Sequence, residues 1–96
     1  MPEAIFNALI HTPNKLQICS YINTLNAPAE FTALKEQLEV SDSVLSKHIK
    51  ALEDANYVST EKRTGIDGRK RTWISLTNEG QTAFHSHVKA LKEIVG

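Results

Sequence analysis

The side chains best equipped for chemistry here are bases and small polar groups. Lys62, Arg63, Arg69, Lys70 and Arg71 crowd the decapeptide 62–71, where Asp67 is the single acid. Cations at that density suit a polyanion, because each one that meets a phosphate releases counterions whatever the base sequence. A second set, Asp42, Ser43, Val44, Ser46, Lys47 and Lys50, lies upstream at helical spacing. Ser43, Ser46 and Lys47 suit base-edge or phosphate contact, Val44 can meet a thymine methyl, and Lys50 is placed for phosphate. The plain alternatives are a solvated helix face and a hairpin whose lysines guard an edge strand. Edge protection ordinarily mixes charge, and five bases against one acid do not.

Other chemistries find less support. His85 and His87 are two apart on a helix, so they point about 200° apart and cannot chelate one ion. His11 precedes a helix start, and His48 sits at the edge of the core. A metal site would need ligands from two chains, for instance His85 or His87 with Glu93, so no metal and no cofactor is expected. Cys19 shares an apolar stripe with Leu16 and Ile22 and reads as a small hydrophobe. A redox-sensing thiol would need exposure and a basic neighbour. A single cysteine excludes an internal disulfide and a four-cysteine zinc site. There is no glycine-rich phosphate loop, nucleophile elbow or pair of acids around a pocket, so the chain does not read as an enzyme.

The elements that must position these residues fit a single domain over 1–96. Hydrophobic content of 41% and charged content of 23% are globular values. Net charge is zero, but residues 1–40 hold two lysines against four glutamates, while 41–71 hold seven bases against five acids. No apolar run is long enough for a transmembrane helix. Met1-Pro2-Glu3 lacks the basic start of a signal peptide, so a reduced, cytoplasmic protein is expected.

Along the chain, residues 3–10 predict a short amphipathic helix carrying Ile5, Phe6, Leu9 and Ile10. Thr12 and Pro13 suit the N-cap and first position of a second helix, with Leu16, Cys19, Ile22 and Leu25 apolar and Ile18 alongside. Asn26-Ala27-Pro28 ends it. Glu30-Phe31 allows a bridging strand residue or two, and Thr32 can cap a helix over Ala33–Leu38. After a turn at Glu39-Val40-Ser41, Ser41 or Asp42 caps a helix reaching Asn56, with Leu45, Ile49 and Leu52 inward. The period then falls to two. Tyr57–Arg63 and Arg69–Leu76 read as strands around a loop with Gly65 and Gly68, with Thr72, Ile74 and Leu76 inward and Trp73 opposite. Trp73 is expected to pack against the capped helix or another subunit, with base stacking as the alternative. Thr77 caps a last helix from Asn78 to about Ile94, with Ala83, Phe84, Val88, Leu91 and Val95 as its stripe.

That order gives a fold that is mainly α with a small β-hairpin, a winged helix-turn-helix. The stretch Ser41–Val58, with Ser46-Lys47-His48-Ile49-Lys50 and Leu52 before Glu53-Asp54-Ala55-Asn56-Tyr57-Val58, resembles the recognition helix of MarR/ArsR-type regulators. Gly68–Gly80, with Leu76-Thr77 and Gly80, is similar to their wing return strand and following helix start. Asn56 stands where that group usually has glycine, and asparagine tolerates the left-handed conformation. The resemblance implies sequence-specific binding of double-stranded DNA by a small transcriptional regulator. Helix 42–56 would lie in the major groove and wing 62–71 on adjacent backbone or minor groove. The alternative is a winged-helix module that binds proteins and not DNA. Segments 1–11 and 78–96 are expected to form a homodimer through Ile5, Phe6, Leu9, Phe84, Val88, Leu91 and Val95, because the small core cannot cover both apolar stripes. No membrane partner and no extra effector domain are expected, and a small-molecule effector is left open.

Overall fold

The computed structural model describes residues 6–96. Among them run α1 (Pro13–Leu25), β1 (Ala29–Glu30), α2 (Phe31–Leu38), α3 (Asp42–Asp54), β2 (Val58–Thr64), β3 (Lys70–Leu76) and α4 (Asn78–Val95). The strands form one antiparallel sheet in the order β1-β3-β2. This is the expected winged helix-turn-helix, with β1 closing the sheet on the side away from β2.

Each boundary has a local cause. Pro13 opens α1, and Asn26 closes it in the left-handed conformation (φ 53°). Between α2 and α3 the reversal falls on Glu39, at φ 56°. Ser41 caps α3 by accepting the Val44 N–H at 3.2 Å, as expected. Asn56 follows α3 at φ 63°, which fits its place in the sequence pattern. Thr77 starts α4 with two hydrogen bonds: its oxygen accepts the Gly80 N–H at 2.9 Å and its hydroxyl donates to the Asn56 carbonyl at 2.6 Å. The end of α3 and the start of α4 are thereby locked together. Gly80 is needed there, since a Cβ would overlap the Tyr57 carbonyl oxygen.

The core gathers Ile18, Cys19 and Ile22 of α1, Leu34 and Leu38 of α2, Leu45, Ile49 and Leu52 of α3, then Val58, Ile74 and Phe84. Burial pushes the Cys19 thiol up to about 11, which is the behaviour of an apolar side chain and not of a thiolate sensor.

Four expectations are corrected. The helix expected over 3–10 is, within the described residues, a turn: polar side chains take its backbone groups. The Asn7 side-chain oxygen accepts the Ile10 N–H at 3.0 Å, and Thr12 donates to the Leu9 carbonyl at 3.1 Å. Thr12 therefore holds the N-cap position of α1 without capping it. Residues 3–5, Ile5 included, lie outside the described residues. Second, α2 begins at Phe31 with Glu30 as N-cap, not at Ala33 after Thr32. Ala29 and Glu30 pair with Ile74 and Trp73, and the chain turns into the helix directly from that pairing. Third, Leu25 is exposed, because the left-handed Asn26 ends α1 just beyond it. Fourth, the inward face of α4 is Gly80, Phe84, His87 and Ala90, which leaves Val95 in solvent.

Candidate nucleic-acid interface

The helix α3 is fixed by its two flanks and free on its outer face. On one flank His48 meets α1: the Lys15 ammonium donates to Nδ1 at 2.9 Å, and the Asn14 amide lies 3.2 Å from Nε2. With Nδ1 accepting, the neutral ring carries its proton on Nε2, so the Asn14 oxygen must face it. Burial, then the Lys15 charge, holds His48 below the usual histidine range, which favours this neutral form. On the other flank Ser46, Ile49, Lys50 and Glu53 line a groove of about 340 Å³ with Phe31, Thr60 and Thr72. Glu53 accepts the Thr60 hydroxyl across it at 2.9 Å. Opposite the buried Leu45, Ile49 and Leu52, the outer face presents Ser43, Lys47, Lys50 and Asp54, all exposed.

The candidate residues of α3 differ in their partners. Asp42 is paired with Lys35 at 2.8 Å, tying the start of α3 to α2. Ser43 lies 3.3 Å from the Ser41 hydroxyl, and Val44 is an exposed apolar side chain. Lys50 is 3.6 Å from Asp54, a loose pair in open solvent. Among the described residues no acid pairs with Lys47.

Strand register divides the wing by face. Lys62 pairs with Thr72 and Thr64 with Lys70, on the face that also carries Val58, Thr60, Ile74 and Leu76. Since Thr60 and Thr72 line the groove with α3, Lys62 and Lys70 extend that same side outward. Neither has an acid partner among the described residues. Arg63 and Arg71 pair with each other in register on the opposite face. There Arg63 meets Glu61 at 2.8 Å and lies 5.8 Å over the Trp73 ring. Arg71 forks onto Asp67 at 3.1 and 2.6 Å and reaches Glu30 at 3.7 Å. Arg69 is exposed at the tip, and its backbone N–H donates to Asp67 at 3.1 Å.

Two sequence expectations change with this geometry. The decapeptide count is true but incomplete, since Glu61 and Glu30 lie outside the window and reach into it from β2 and β1. Trp73 does not face α3. It stands on the outer face of the sheet, in register between Glu30 and Glu61.

Sequence reading missed one cluster entirely. His87 is fully buried, and its Nδ1 accepts the Asn7 N–H at 2.8 Å. Its Nε2 lies 3.2 Å from Nδ1 of His11, and the Phe6 ring packs 4.8 Å from both imidazoles. The Asn7 amide also donates to the Tyr57 hydroxyl at 2.9 Å. The sequence signal was a histidine on the apolar face of α4, one turn past Phe84.

The dimer candidates divide as well. Phe84 is 7% exposed and belongs to the core of its own chain. Leu9, Val88 and Leu91 are half-buried. Phe6 is 46% exposed and Val95 82%, with Ile94 beside it at 68%.

Known proteins share the sequence pattern and the fold. A family model described as a winged helix DNA-binding domain matches residues 15–95. An uncharacterised protein of Methanocaldococcus jannaschii is 33% identical over 90 residues, 94% of this chain and 91% of that one. A riboflavin kinase of Haloquadratum walsbyi is 35% identical over 63 residues, which are 66% of this chain but 25% of that protein. Among solved structures, a transcriptional regulator homologue from Pyrococcus horikoshii OT3 superposes with a TM-score of 0.81 at 25% identity, covering 91% of this chain and 84% of that one. A MarR-family regulator from Enterococcus faecalis V583 shares the fold with a TM-score of 0.71 at 20% identity, covering 90% and 74%.

Proposed function

The chain belongs to the winged helix DNA-binding domain family, and on that premise we propose that it is a small transcriptional regulator with α3 in the major groove and the β2–β3 wing on adjacent backbone or minor groove. Ser43, Ser46 and Lys47 read base edges or phosphate, and Val44 meets a thymine methyl. Lys50, Lys62, Arg69 and Lys70 contact phosphate. Asp42, held by Lys35, sets where α3 begins and does not itself touch the duplex.

The observation that carries this reading is the segregation of charge. Lys47 on the outer face of α3, and Lys62 and Lys70 on the α3-facing side of the hairpin, are free of acid partners among the described residues. Of the acids in residues 41–71, Asp42 pairs with Lys35, Asp54 with Lys50, and Glu61 and Asp67 with arginines. A polyanion is the partner that unpaired cations on one side suit.

Salt tests the reading. Lys50, Lys62, Arg69 and Lys70 as four phosphate contacts predict that log affinity for a random-sequence duplex falls with log salt at a slope of about −3 to −4 per subunit. A flat dependence would remove duplex binding and leave a protein partner as the better reading.

We further propose a homodimer. Ile94 and Val95 leave apolar surface at the end of α4, Phe6 is exposed beside His87, and Val88 and Leu91 are half-buried on the same helix. Such surface favours a twofold mate, and two linked domains would present two recognition helices to a two-part site.

A further inference from the structure

Arg71 is the most heavily engaged base in the wing. Its guanidinium takes both oxygens of Asp67 in a fork, the geometry that makes arginine–carboxylate pairs strong and directional. Its Nε lies 3.7 Å from Glu30 on β1, so one side chain ties the edge of the sheet to the tip of the loop. Asp67 also takes the Arg69 N–H. The loop closes through Gly65 N–H to the Arg69 carbonyl at 2.8 Å and Gly68 N–H to the Gly65 carbonyl at 3.0 Å, with Gly68 at φ 80°. Gly65 completes the seat, since a Cβ there would overlap the guanidinium. The side chain projects from the face of the hairpin opposite Lys62 and Lys70.

We infer that Arg71 is a strut of the wing and not one of its phosphate contacts, and that Asp67 withholds its guanidinium from the duplex. Charge count alone ranks Arg71 with Arg69 and Lys70. Partners separate them: Arg69 and Lys70 are available at the tip, whereas Arg71 already has the anion that a phosphate would have to displace. Asp67 is a positioning residue that shapes the loop and sets how many cations the wing offers. This inference rests on the duplex-binding reading.

The test uses the full chain and a random-sequence duplex across a salt series, with Arg69→Ala as the reference for a contacting cation. Arg69→Ala should flatten the salt slope by about 0.9. Arg71→Ala should leave it at the wild-type value. Asp67→Asn should free the guanidinium, steepen the slope by about 0.9 and raise affinity several-fold at low salt. Gly65→Ala changes no charge and should move the slope in the same direction by unseating Arg71. Amide exchange gives a second readout that needs no DNA: Arg71→Ala should speed exchange at Gly65 and Arg69, and Gly65→Ala should speed it at Arg69.

If Arg71→Ala flattens the slope as Arg69→Ala does, or if Asp67→Asn binds as wild type does, the inference is overturned. An Arg69→Ala variant with the wild-type slope overturns it too, because the wing would then have no contact from which Arg71 is withheld. If wild type shows no salt dependence at all, the duplex reading fails and the withholding of Arg71 fails with it. Exchange then decides the strut alone, and unchanged rates in Arg71→Ala overturn that part.

Discussion

Among the described residues His87 is the polar side chain that is sealed completely from solvent, and its hydrogen bonds fix its proton. The Asn7 N–H occupies Nδ1, so the neutral ring keeps its hydrogen on Nε2 and directs it to His11. Protonating Nδ1 would break the Asn7 bond and bury a charge beside Phe6, with His11 and Asn7 as the polar neighbours and no described carboxylate paired to it. Burial, then His11, holds His87 below the usual histidine range. The sign follows: the unfolded chain takes up this proton at higher pH than the folded one, so its contribution is complete above about pH 6.5 and is lost as pH falls through the folded value. His48 acts in the same direction. We expect the Tm of wild type to drop between about pH 7.5 and about pH 5.5, and to drop less in His87→Gln, whose amide oxygen can still accept the Asn7 N–H. Equal drops in the two proteins would contradict this account. At this scale legibility was uneven. Cys19 was readable because its neighbours in sequence form an apolar stripe. The His11–His87 pair was not, because 76 positions separate the two rings and only the turn at 6–12 brings them together.

Elements were more legible than contacts between elements. Ser41, Asn56 and Thr77 each encode a local backbone need, so α3 and the start of α4 could be read from them. β1 and α2 were blurred because pairing with β3 decides where the chain turns, and no local residue announces it. The hairpin was recognised, but its division into two faces depends on register and on Glu30, which arrives from a separate strand. Gly80 marks another contact of this kind, the close approach of α4 to the Tyr57 backbone. Gly80→Ala should therefore destabilise the fold by about 1–3 kcal/mol, as overpacking does, despite the better helix propensity of alanine. Denaturant unfolding measures it, and a stabilised variant would show that the helix moves freely away from Tyr57.

At the scale of the molecule, the proposed DNA-reading face joins α3 to one side of the wing, and the apolar end of α4 is proposed to meet a second copy. Sedimentation at about 100 μM should find a dimer, since a specific interface binds more tightly than that, and Leu91→Glu should shift it to monomer. A wild-type monomer under those conditions would remove the homodimer. The fold class and helix α3 were legible because periodicity and caps are local. Which cations are free was not, because pairing is tertiary. The central claim is that α3 reads sequence while the wing supplies charge. It is tested most directly by selecting a preferred duplex from a random pool and comparing wild type with Ser43→Ala and Lys47→Ala on that duplex and on random DNA at one salt concentration. The account predicts that at least one α3 variant loses about 1–3 kcal/mol on the selected duplex and much less on random DNA, so that discrimination falls. Discrimination unchanged in both variants would contradict it.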